Sequence, residues 1–269
     1  MSFLSYYMQA VEINNKSNKT ILNRYNLEDN HWFYRGVRAI LKNNFEKLLK
    51  NNDSNSTKPI QILDIGCGSG ANLLWLKEYG AVYGIDISEF AIDCAKKREL
   101  KNLTVGSAEE LSYEDNCFDF VFSVQVFCNI PENDLKAWEE AYRVLKPGGY
   151  FVSLLPAYKF LFSNHDLASG SYRRYDVKDI LLASSKSKFE TCKITFYNFL
   201  LFPLAAGFRL VPKILNRGNL VAKTDLRKVN TLINYILTKI MYLEVLLSNL
   251  VSYPCGLSVF SIHRKPVQS

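Results

Sequence analysis

The chain has 269 residues, of which 48% are hydrophobic and 22% are charged, and its formal net charge is +7. This composition is too apolar for a disordered chain and indicates one globular domain with a buried core. The six cysteines show no metal-ligand spacing, so we expect reduced thiols, no metal site and a cytoplasmic location. The N-terminus lacks a signal-peptide pattern, and no uncharged run approaches the roughly 20 residues of a membrane span. The positive charge leaves an anionic substrate, a membrane surface, nucleic acid or an inert basic surface open.

The first fifth of the chain is predicted to be helical. The stretch from His31 to Leu41 contains both aromatic residues and arginines, and an amphipathic pattern follows through Phe45 and Leu49. A polar run at 51–58 then leads into the first strand. We therefore expect a helical lid over residues 1–58, ahead of the core.

A glycine-rich turn joins an apolar strand, predicted over 60–65, to a helix predicted over 71–79. Its glycines, at positions 66, 68 and 70, let the backbone turn sharply and approach a ligand. Gly66, Gly68 and Ala71 also fit the spacing of the dinucleotide-binding pattern. However, Asp64 at the end of the strand would repel a pyrophosphate and attract an ammonium or sulfonium cation.

Strands and helices alternate after this turn. Strands are predicted at 81–86, 103–105, 118–124, 150–155, 189–197 and 256–264, and helices at 89–99 and 132–145. This alternation predicts an α/β, Rossmann-like three-layer sandwich with a mostly parallel, seven-stranded sheet. Ser88 is the predicted N-cap of the helix at 89–99. Asp86 lies about 20 residues past the turn, where an acid can hold ribose hydroxyls.

The glycine-rich turn resembles motif I of the class I S-adenosylmethionine-dependent methyltransferases, in which an acidic residue precedes three glycines at alternate positions. Three further stretches resemble this family in the correct order: 107–113, 118–131 and the turn Arg-Val-Leu-Lys-Pro-Gly-Gly at 143–149. His31 to Arg38 and the segment 155–175 resemble motifs of one bacterial group within it. The resemblance covers nearly the whole chain and implies S-adenosylmethionine as cofactor and S-adenosylhomocysteine as product.

The resemblance also implies which residues hold the cofactor. Those of the turn are Asp64, Gly66, Cys67, Gly68 and Gly70; Asp86 and Ile87 lie at the ribose; Ser107, Ala108 and Glu109 lie at the adenine; and Ser123 and Gln125 lie at the methionine end. The family usually has Asp where Ser107 stands, so the backbone amide of Ala108 is the expected adenine contact.

Methyl transfer requires an aligned nucleophile, and a base within hydrogen-bond reach helps when the acceptor is a hydroxyl or an amine. His165 and Asp166 follow the fifth strand, and we hypothesise that they act as base or substrate orienter; a structural loop histidine is the alternative. Residues that could contact the substrate are Trp32, Arg35, Asn129, Tyr172, Arg173, Arg174 and Tyr175. As alternatives, Trp32 packs in the core, Arg35 and Arg38 fasten the lid, and an arginine of the 173–174 pair binds Asp166 or Asp176.

Residues 198–255 form a predicted helical insertion between the sixth and the last strand. An apolar run at 199–208 precedes a stretch, 209–228, with six cations and one acid. An amphipathic helix follows, marked by Leu232, Ile236, Ile240, Leu243, Leu247 and Leu250. This pattern indicates peripheral contact with the inner face of a membrane, or a lipid-linked acceptor. A lid over the active site and a homodimer contact are the alternatives.

The sequence therefore predicts one methyltransferase domain over 1–269, with the core at 59–197 and the last strand and tail at 256–269. The acceptor would be a small molecule, a glycan or a lipid-linked compound of a biosynthetic pathway, with O-methylation favoured. A nicotinamide-dependent oxidoreductase is a second hypothesis, because Tyr142 and Lys146 have the spacing of the short-chain dehydrogenase catalytic pair. A non-catalytic cofactor-binding protein is a third. A nucleic-acid partner is not expected, because the motif typical of base-flipping amino-methyltransferases is absent.

Overall fold

The computed structural model describes residues 18–51, 59–215 and 228–267. The start of the predicted lid, the linker at 52–58, and Arg217, Lys223 and Arg227 lie outside this range. The described helices are α1 (18–27), α2 (Trp32–Asn51), α3 (Ala71–Leu76), α4 (Glu89–Lys96), α5 (Leu135–Val144), α6 (Asn164–Ala168), α7 (Val177–Lys186), α8 (Phe202–Leu215) and α9 (Thr231–Leu247). The strands are β1 (Ile60–Ile65), β2 (Gly80–Asp86), β3 (Leu103–Val105), β4 (Phe118–Val124), β5 (Leu145–Pro156), β6 (Glu190–Tyr197) and β7 (Ser258–Arg264).

The seven strands form one sheet in the order β3-β2-β1-β4-β5-β7-β6. The pairs from β3 to β5 are parallel, whereas β7 runs antiparallel to both of its neighbours. The carboxyl ends of β1, β2, β3, β4 and β5 therefore share one edge, where open α/β sheets bind ligands. This topology confirms the predicted fold class, including the pairing of the sixth and last strands around an insertion.

Side chains alternate between the two faces of the sheet because successive residues of a strand point in opposite directions. Ile62 of β1 packs on one face in a cluster with Phe45 of α2. The next residue, Leu63, packs on the other face in a cluster with Trp138 of α5. Both aromatic rings are fully buried. The sheet is thus the middle of three layers, as predicted.

The helix predicted over 132–145 begins later, at Leu135, but it ends directly before the turn Lys146 to Gly149, as predicted. Helix α5 ends at Val144, and the turn belongs to β5 as an irregularity, since Phe118 pairs with Leu145 but Phe120 pairs with Tyr150. Gly148 takes φ +85° there. The ammonium of Lys146 lies 2.8 Å from Asp119 Oδ2, so a cross-strand ion pair holds it. The helices predicted over 71–79 and 89–99 end earlier, at Leu76 and Lys96.

The described part of the insertion contains the helices α8 and α9, and the predicted apolar stripe of α9 lies largely on its exposed side. Of its predicted apolar stripe, Leu232, Ile236 and Leu243 are exposed, as is Leu250 just beyond the helix. Its buried residues are Thr238, Met241, Glu244 and Val245. The inner polar groups serve neighbouring backbone: Asn234 Oδ1 accepts from Trp32 N at 2.8 Å, and Glu244 accepts from Phe199 N and Leu200 N at 3.0 and 3.2 Å. In the described part of the chain, no helix is both long and apolar enough to cross a bilayer.

Candidate active site

The glycine-rich turn is fastened to the end of β2. The amides of Gly66 and Cys67 donate to Ile85 O at 2.7 and 3.0 Å. Gly66, Gly68 and Gly70 have φ angles of +70°, +55° and +81°, which other residues rarely adopt. A Cβ on Gly66 would come within 2.2 Å of Val126, whereas a Cβ on Gly68 would meet no atom within 4 Å. The turn therefore needs glycine for its shape, and it leaves open space above Gly68.

Asp64 is a buried carboxylate that lacks a partner. It is 1% exposed, and neither of its oxygens has a hydrogen bond within the described structure. Burial raises its pKa to about 8, and the charge of Asp86 adds to the rise; the Asn72 side chain is near enough to oppose it without forming a regular hydrogen bond. A carboxylate left in this state is costly, so a cationic or N–H-bearing group beside it would be stabilised.

Asp86, at the end of β2, joins the turn to the following helix. Its Oδ2 accepts from Gly68 N at 2.9 Å, and its Oδ1 accepts from Ser88 N at 2.9 Å. Ser88 caps α4 as predicted, accepting from Ala91 N at 3.3 Å. Ile87 is 79% exposed, an unusual position for an isoleucine in a core turn. The Asp86 carboxylate has lone pairs left to accept hydrogen bonds from sugar hydroxyls, and the exposed Ile87 side chain beside it can pack against a flat ring.

The other predicted cofactor residues lie at the same edge of the sheet. The loop after β3 is tied to β2 through Gly106 N and Asp86 O at 3.0 Å, and Ser107 Oγ accepts from Glu109 N at 3.1 Å. Ala108 is partly buried against the core. After β4, Ser123 is fully buried and its hydroxyl has no partner in the described structure. Gln125 takes φ +59°, and its amide donates to Leu154 O at 2.8 Å. The structure thus brings this set together.

The lid closes on the turn through an interaction that the sequence analysis missed. Glu28, 5% exposed, accepts a short hydrogen bond from the Ser69 hydroxyl and pairs with Arg98 at 2.8 Å. Arg98 also pairs with Asp29 at 3.0 Å. Burial raises the pKa of Glu28, while Ser69 and Arg98 oppose that rise. No motif marks these residues; only the opposite charges at 28–29 and 98 could have suggested a contact.

Trp32 and Arg35, predicted to reach the substrate, lie at the junction of α2 and α9. Trp32, the first residue of α2, is partly buried and packs against the hydrophobic cluster around Phe45. The Arg35 guanidinium lies 5.8 Å from the centre of the Tyr242 ring. The packing alternative is therefore the one that the structure supports for Trp32, and Arg35 faces the insertion.

The loop after β5 contains a buried ion pair. Asp166 is 3% exposed and lies 2.8 Å from Arg174 Nη2. It also accepts from the amide and hydroxyl of Ser163 at 2.7 and 2.8 Å. Burial alone would raise the pKa of Asp166, but Arg174 and Ser163 hold it below its ordinary value. Arg174 also donates to Ala157 O at 3.0 Å. The two side chains bind each other, as the ion-pair alternative proposed; the direct catalytic and substrate roles of this pair stay predictions.

Two neighbouring residues that were predicted to contact the substrate bind other groups of the fold instead. Tyr175 is 3% exposed and donates to Asp134 Oδ2 at 2.7 Å. Arg173 donates to Ile130 O and Pro131 O, each at 2.8 Å. Both therefore hold the loop rather than face a ligand, because hydrogen-bonding groups already committed inside the fold cannot serve a substrate without loss.

Three predicted residues remain accessible around this loop. Tyr172 is 61% exposed, and its amide donates to Cys128 O at 2.8 Å. Asn129 is exposed and accepts from Ser171 Oγ at 2.9 Å. His165 is half-buried on α6. These contacts join the loops after β4 and β5 at the ligand-binding edge of the sheet.

The dehydrogenase-like pair lies at the wrong edge of the sheet. Lys146 is at the amino end of β5 and binds Asp119 at 2.8 Å. Tyr142 packs beneath the ammonium of Lys265, 4.6 Å from its ring centre. The glycine-rich turn is at the carboxyl ends of the strands, so these residues cannot reach a ligand bound there. The spacing that suggested an oxidoreductase is structural.

Comparison with known proteins agrees with this geometry. Residues 63–153 match the family described as "Methyltransferase domain". The chain is 33% identical over 197 residues to a ubiquinone/menaquinone biosynthesis C-methyltransferase of Rickettsia bellii, covering 66% of this chain and 74% of that protein. It is 32% identical over 163 residues to a demethylmenaquinone methyltransferase of Staphylococcus aureus, covering 55% of this chain and 64% of that protein.

Among solved structures, the fold is similar to a methyltransferase in complex with the Haloferax volcanii Trm112 methyltransferase activator. The TM-score is 0.59 at 16% identity, and the match covers 95% of this chain and 98% of the other. At this identity the likeness speaks for the fold alone. Together with the relative of which this chain covers 74% at 33% identity, it leads to one conclusion: the chain belongs to the class I S-adenosylmethionine-dependent methyltransferases.

Proposed function

We propose that S-adenosylmethionine binds across the glycine-rich turn, with Asp64 facing its cationic methionine end and Asp86 its ribose. The observation that carries this proposal is the buried carboxylate of Asp64, which has no partner in the described structure. The open space above Gly68 supports it. Bound there, the cofactor supplies an electrophilic methyl group. Ile87 and Ala108 would line the adenine, and Ser123 and Gln125 the methionine.

For the acceptor we propose a lipid-linked compound, with a quinone-type aromatic ring as the first candidate. The Rickettsia relative is named a ubiquinone/menaquinone biosynthesis C-methyltransferase, and the Staphylococcus relative is named a demethylmenaquinone methyltransferase. Exposed apolar residues on α8 and α9, such as Phe208 and Leu246, favour a lipid over a free sugar or another polar metabolite. Such an enzyme would work at the inner face of a membrane while its domain stays in the cytoplasm.

O-methylation remains the second candidate. A ring carbon beside a hydroxyl and a hydroxyl oxygen both become better nucleophiles when that hydroxyl loses its proton. His165 is the candidate to receive the proton, because it lies half-buried on α6 in the loop that follows β5. The Asp166–Arg174 pair would position α6, and Tyr172 and Asn129 would contact the acceptor.

The test has two stages. Calorimetric titration with S-adenosylmethionine and S-adenosylhomocysteine measures cofactor binding to the wild type and to Asp86→Asn. Reduced demethylmenaquinone in vesicles, incubated with the enzyme and the cofactor, then tests transfer, with mass fragmentation locating the methyl group. We expect binding that Asp86→Asn weakens about tenfold, as for one hydrogen bond to a charged group, and methylation of a ring carbon.

The outcomes separate the alternatives. A methyl group on oxygen would favour the second candidate. Cofactor binding without transfer to a lipid quinone, but with transfer to a water-dissolved hydroxyl compound or sugar, would overturn the lipid acceptor. Binding without any turnover would favour the non-catalytic hypothesis. A His165→Ala variant that keeps full turnover would remove the proposed base.

A further inference from the structure

The outward face of α9 is an apolar stripe. Its large exposed side chains are Leu232, Tyr235, Ile236, Tyr242, Leu243 and Leu246, with exposed fractions between 38% and 66%. Their spacing of three or four residues places them on one side of the helix. Contiguous exposed apolar surface of this kind marks an interaction site in a folded protein.

This stripe is not a core face left open, since the inner face of α9 is already fully packed. Met241 is 0% exposed and belongs to the cluster around Phe45. Asn234 and Glu244 accept from backbone amides of α2 and of the segment after β6, and Thr238 donates to Asn234 O within α9. The inner face therefore holds α9 on the domain, and the exposed stripe is not needed for that packing.

A cationic groove of about 340 Å³ adjoins the stripe. Its lining includes Arg35, Arg38 and Lys42 from α2, Trp75 from α3 and Tyr242 from α9. Tyr242 belongs to both the stripe and the groove, so the two surfaces meet. Lys42 pairs with Glu78 at 3.3 Å and Arg38 donates to Asp29 O at 3.0 Å, so Arg35 is the cation of the groove that a phosphate would bind most directly. A guanidinium fork matches the phosphate oxygens well.

Two features show that the groove has unused donors. Arg35 lies over the Tyr242 ring, and among the residues that the structure describes no carboxylate pairs with it. Trp75 is 9% exposed, and its indole N–H has no acceptor in the described structure. The acid in the groove, Asp29, already pairs with Arg98 at 3.0 Å. A ligand rich in acceptors and negative charge fits this arrangement.

We propose that the α9 stripe docks the protein on an anionic phospholipid surface, and that the adjoining groove binds a lipid phosphate headgroup. Tyrosines and a lysine beside leucines and isoleucines suit the boundary between headgroups and acyl chains. Lys239 lies within the stripe, with its ammonium 5.3 Å from the Tyr235 ring centre. Basic residues near an anionic surface add electrostatic attraction to such docking.

Charge argues against a second copy of this chain as the occupant. A symmetric dimer through the stripe would bring together two copies of Lys239 and two cationic grooves. The only acid of α9, Glu244, is buried and bound to Phe199 N and Leu200 N. Like charges facing each other across an interface are unfavourable.

The experiment is vesicle flotation of the full chain, without cofactor or acceptor. Vesicles of phosphatidylcholine alone are compared with vesicles that also contain phosphatidylglycerol, at low and high salt. We expect binding to the anionic vesicles that weakens with salt. Leu243→Glu should reduce the bound fraction roughly tenfold, as expected for losing one buried leucine. Arg35→Gln should reduce it about fivefold and flatten the salt dependence.

The matched control is Leu182→Glu on α7, because Leu182 is 57% exposed but lies on the opposite layer of the molecule. It should float with the vesicles as the wild type does. Cofactor affinity, measured by calorimetry in Leu243→Glu, should be unchanged, so failure of docking can be told from failure of the proposed methyl transfer. Three results would overturn the proposal: equal binding to neutral vesicles, binding of glycerophosphate without vesicles, or a dimer that Leu243→Glu dissociates.

Discussion

The glycine-rich turn and helix α9 treat their buried polar groups in opposite ways. At the turn, Asp64 is buried without a partner in the described structure. On α9, Asn234 and Glu244 are bound to backbone groups of α2 and of the segment after β6. The group left without a partner at the turn is a polar carboxylate, whereas the surface left uncovered on α9 is apolar. The comparison teaches that the two regions would take different ligands: a small cation-bearing molecule beside the unpartnered carboxylate, and a lipid surface against the exposed apolar stripe.

The largest expected effect is on stability, and it tests the hydrogen bonds that Glu244 of α9 accepts. Glu244→Ala would leave two buried amides, Phe199 N and Leu200 N, without their acceptor. We expect a loss of about 2–4 kcal/mol in the free energy of unfolding, measured by urea denaturation. Cofactor affinity of the folded fraction should stay the same. If stability is unchanged, α9 is not fastened as the structure indicates.

A change at Asp64 in the glycine-rich turn should do the opposite: it should weaken cofactor binding without lowering stability. Asp64→Asn keeps the shape of the side chain but removes its charge, so affinity for S-adenosylmethionine should fall about 10- to 100-fold. Stability should not fall. Because the pKa of Asp64 is raised to about 8 from its ordinary 3.8, the wild type carries a proton there when folded and loses stability as pH rises between those values. The variant should lack that pH dependence in urea denaturation across the same range.

A smaller effect concerns the open space above the turn. Gly68→Ala adds a methyl group that meets no protein atom, and it pays a strain of about 1–2 kcal/mol for φ +55°. We expect a roughly tenfold or larger loss of cofactor affinity beyond that strain, because the methyl group would occupy the cofactor's space. Gly148→Ala is the control: it has φ +85° and also no tight contact, but it lies at the opposite edge of the sheet. Equal affinities in the two variants would argue against the proposed site.

The smallest expected effect returns to α9. Leu243→Gln should change the free energy of unfolding by less than about 0.5 kcal/mol, since Leu243 is 50% exposed and surface changes rarely matter more. Met241→Gln, at a fully buried position of the same helix, should cost several times as much. Thermal melting of both variants checks this contrast. Equal losses would mean that the stripe is part of the core.

The sequence predicted the core of the fold because local signals decide it. The apolar run before Asp64 and the glycines after it allow few conformations, and the strand and helix alternation left one sheet architecture. The orientation of α9 could not be predicted, since Asn234 and Glu244 resemble surface residues until the backbone groups that they bind are known. Arg174 and Tyr175 were predicted to contact the substrate for the same reason: the sequence does not show that their hydrogen-bond donors bind Asp166 and Asp134 of the protein itself. The link from Glu28 to Ser69 spans 41 residues and carries no local pattern.

The central claim, that Asp64 receives the cationic end of S-adenosylmethionine, is tested most directly by counting protons. Calorimetric titration at neutral pH, in two buffers of different ionisation enthalpy, gives the protons released when the cofactor binds. The value for Asp64→Asn, subtracted from that of the wild type, removes the cofactor's own ionisation. We expect close to one proton released through Asp64, because its pKa of about 8 would fall beside a bound cation. No difference between the two proteins, with equally tight binding, would contradict the account.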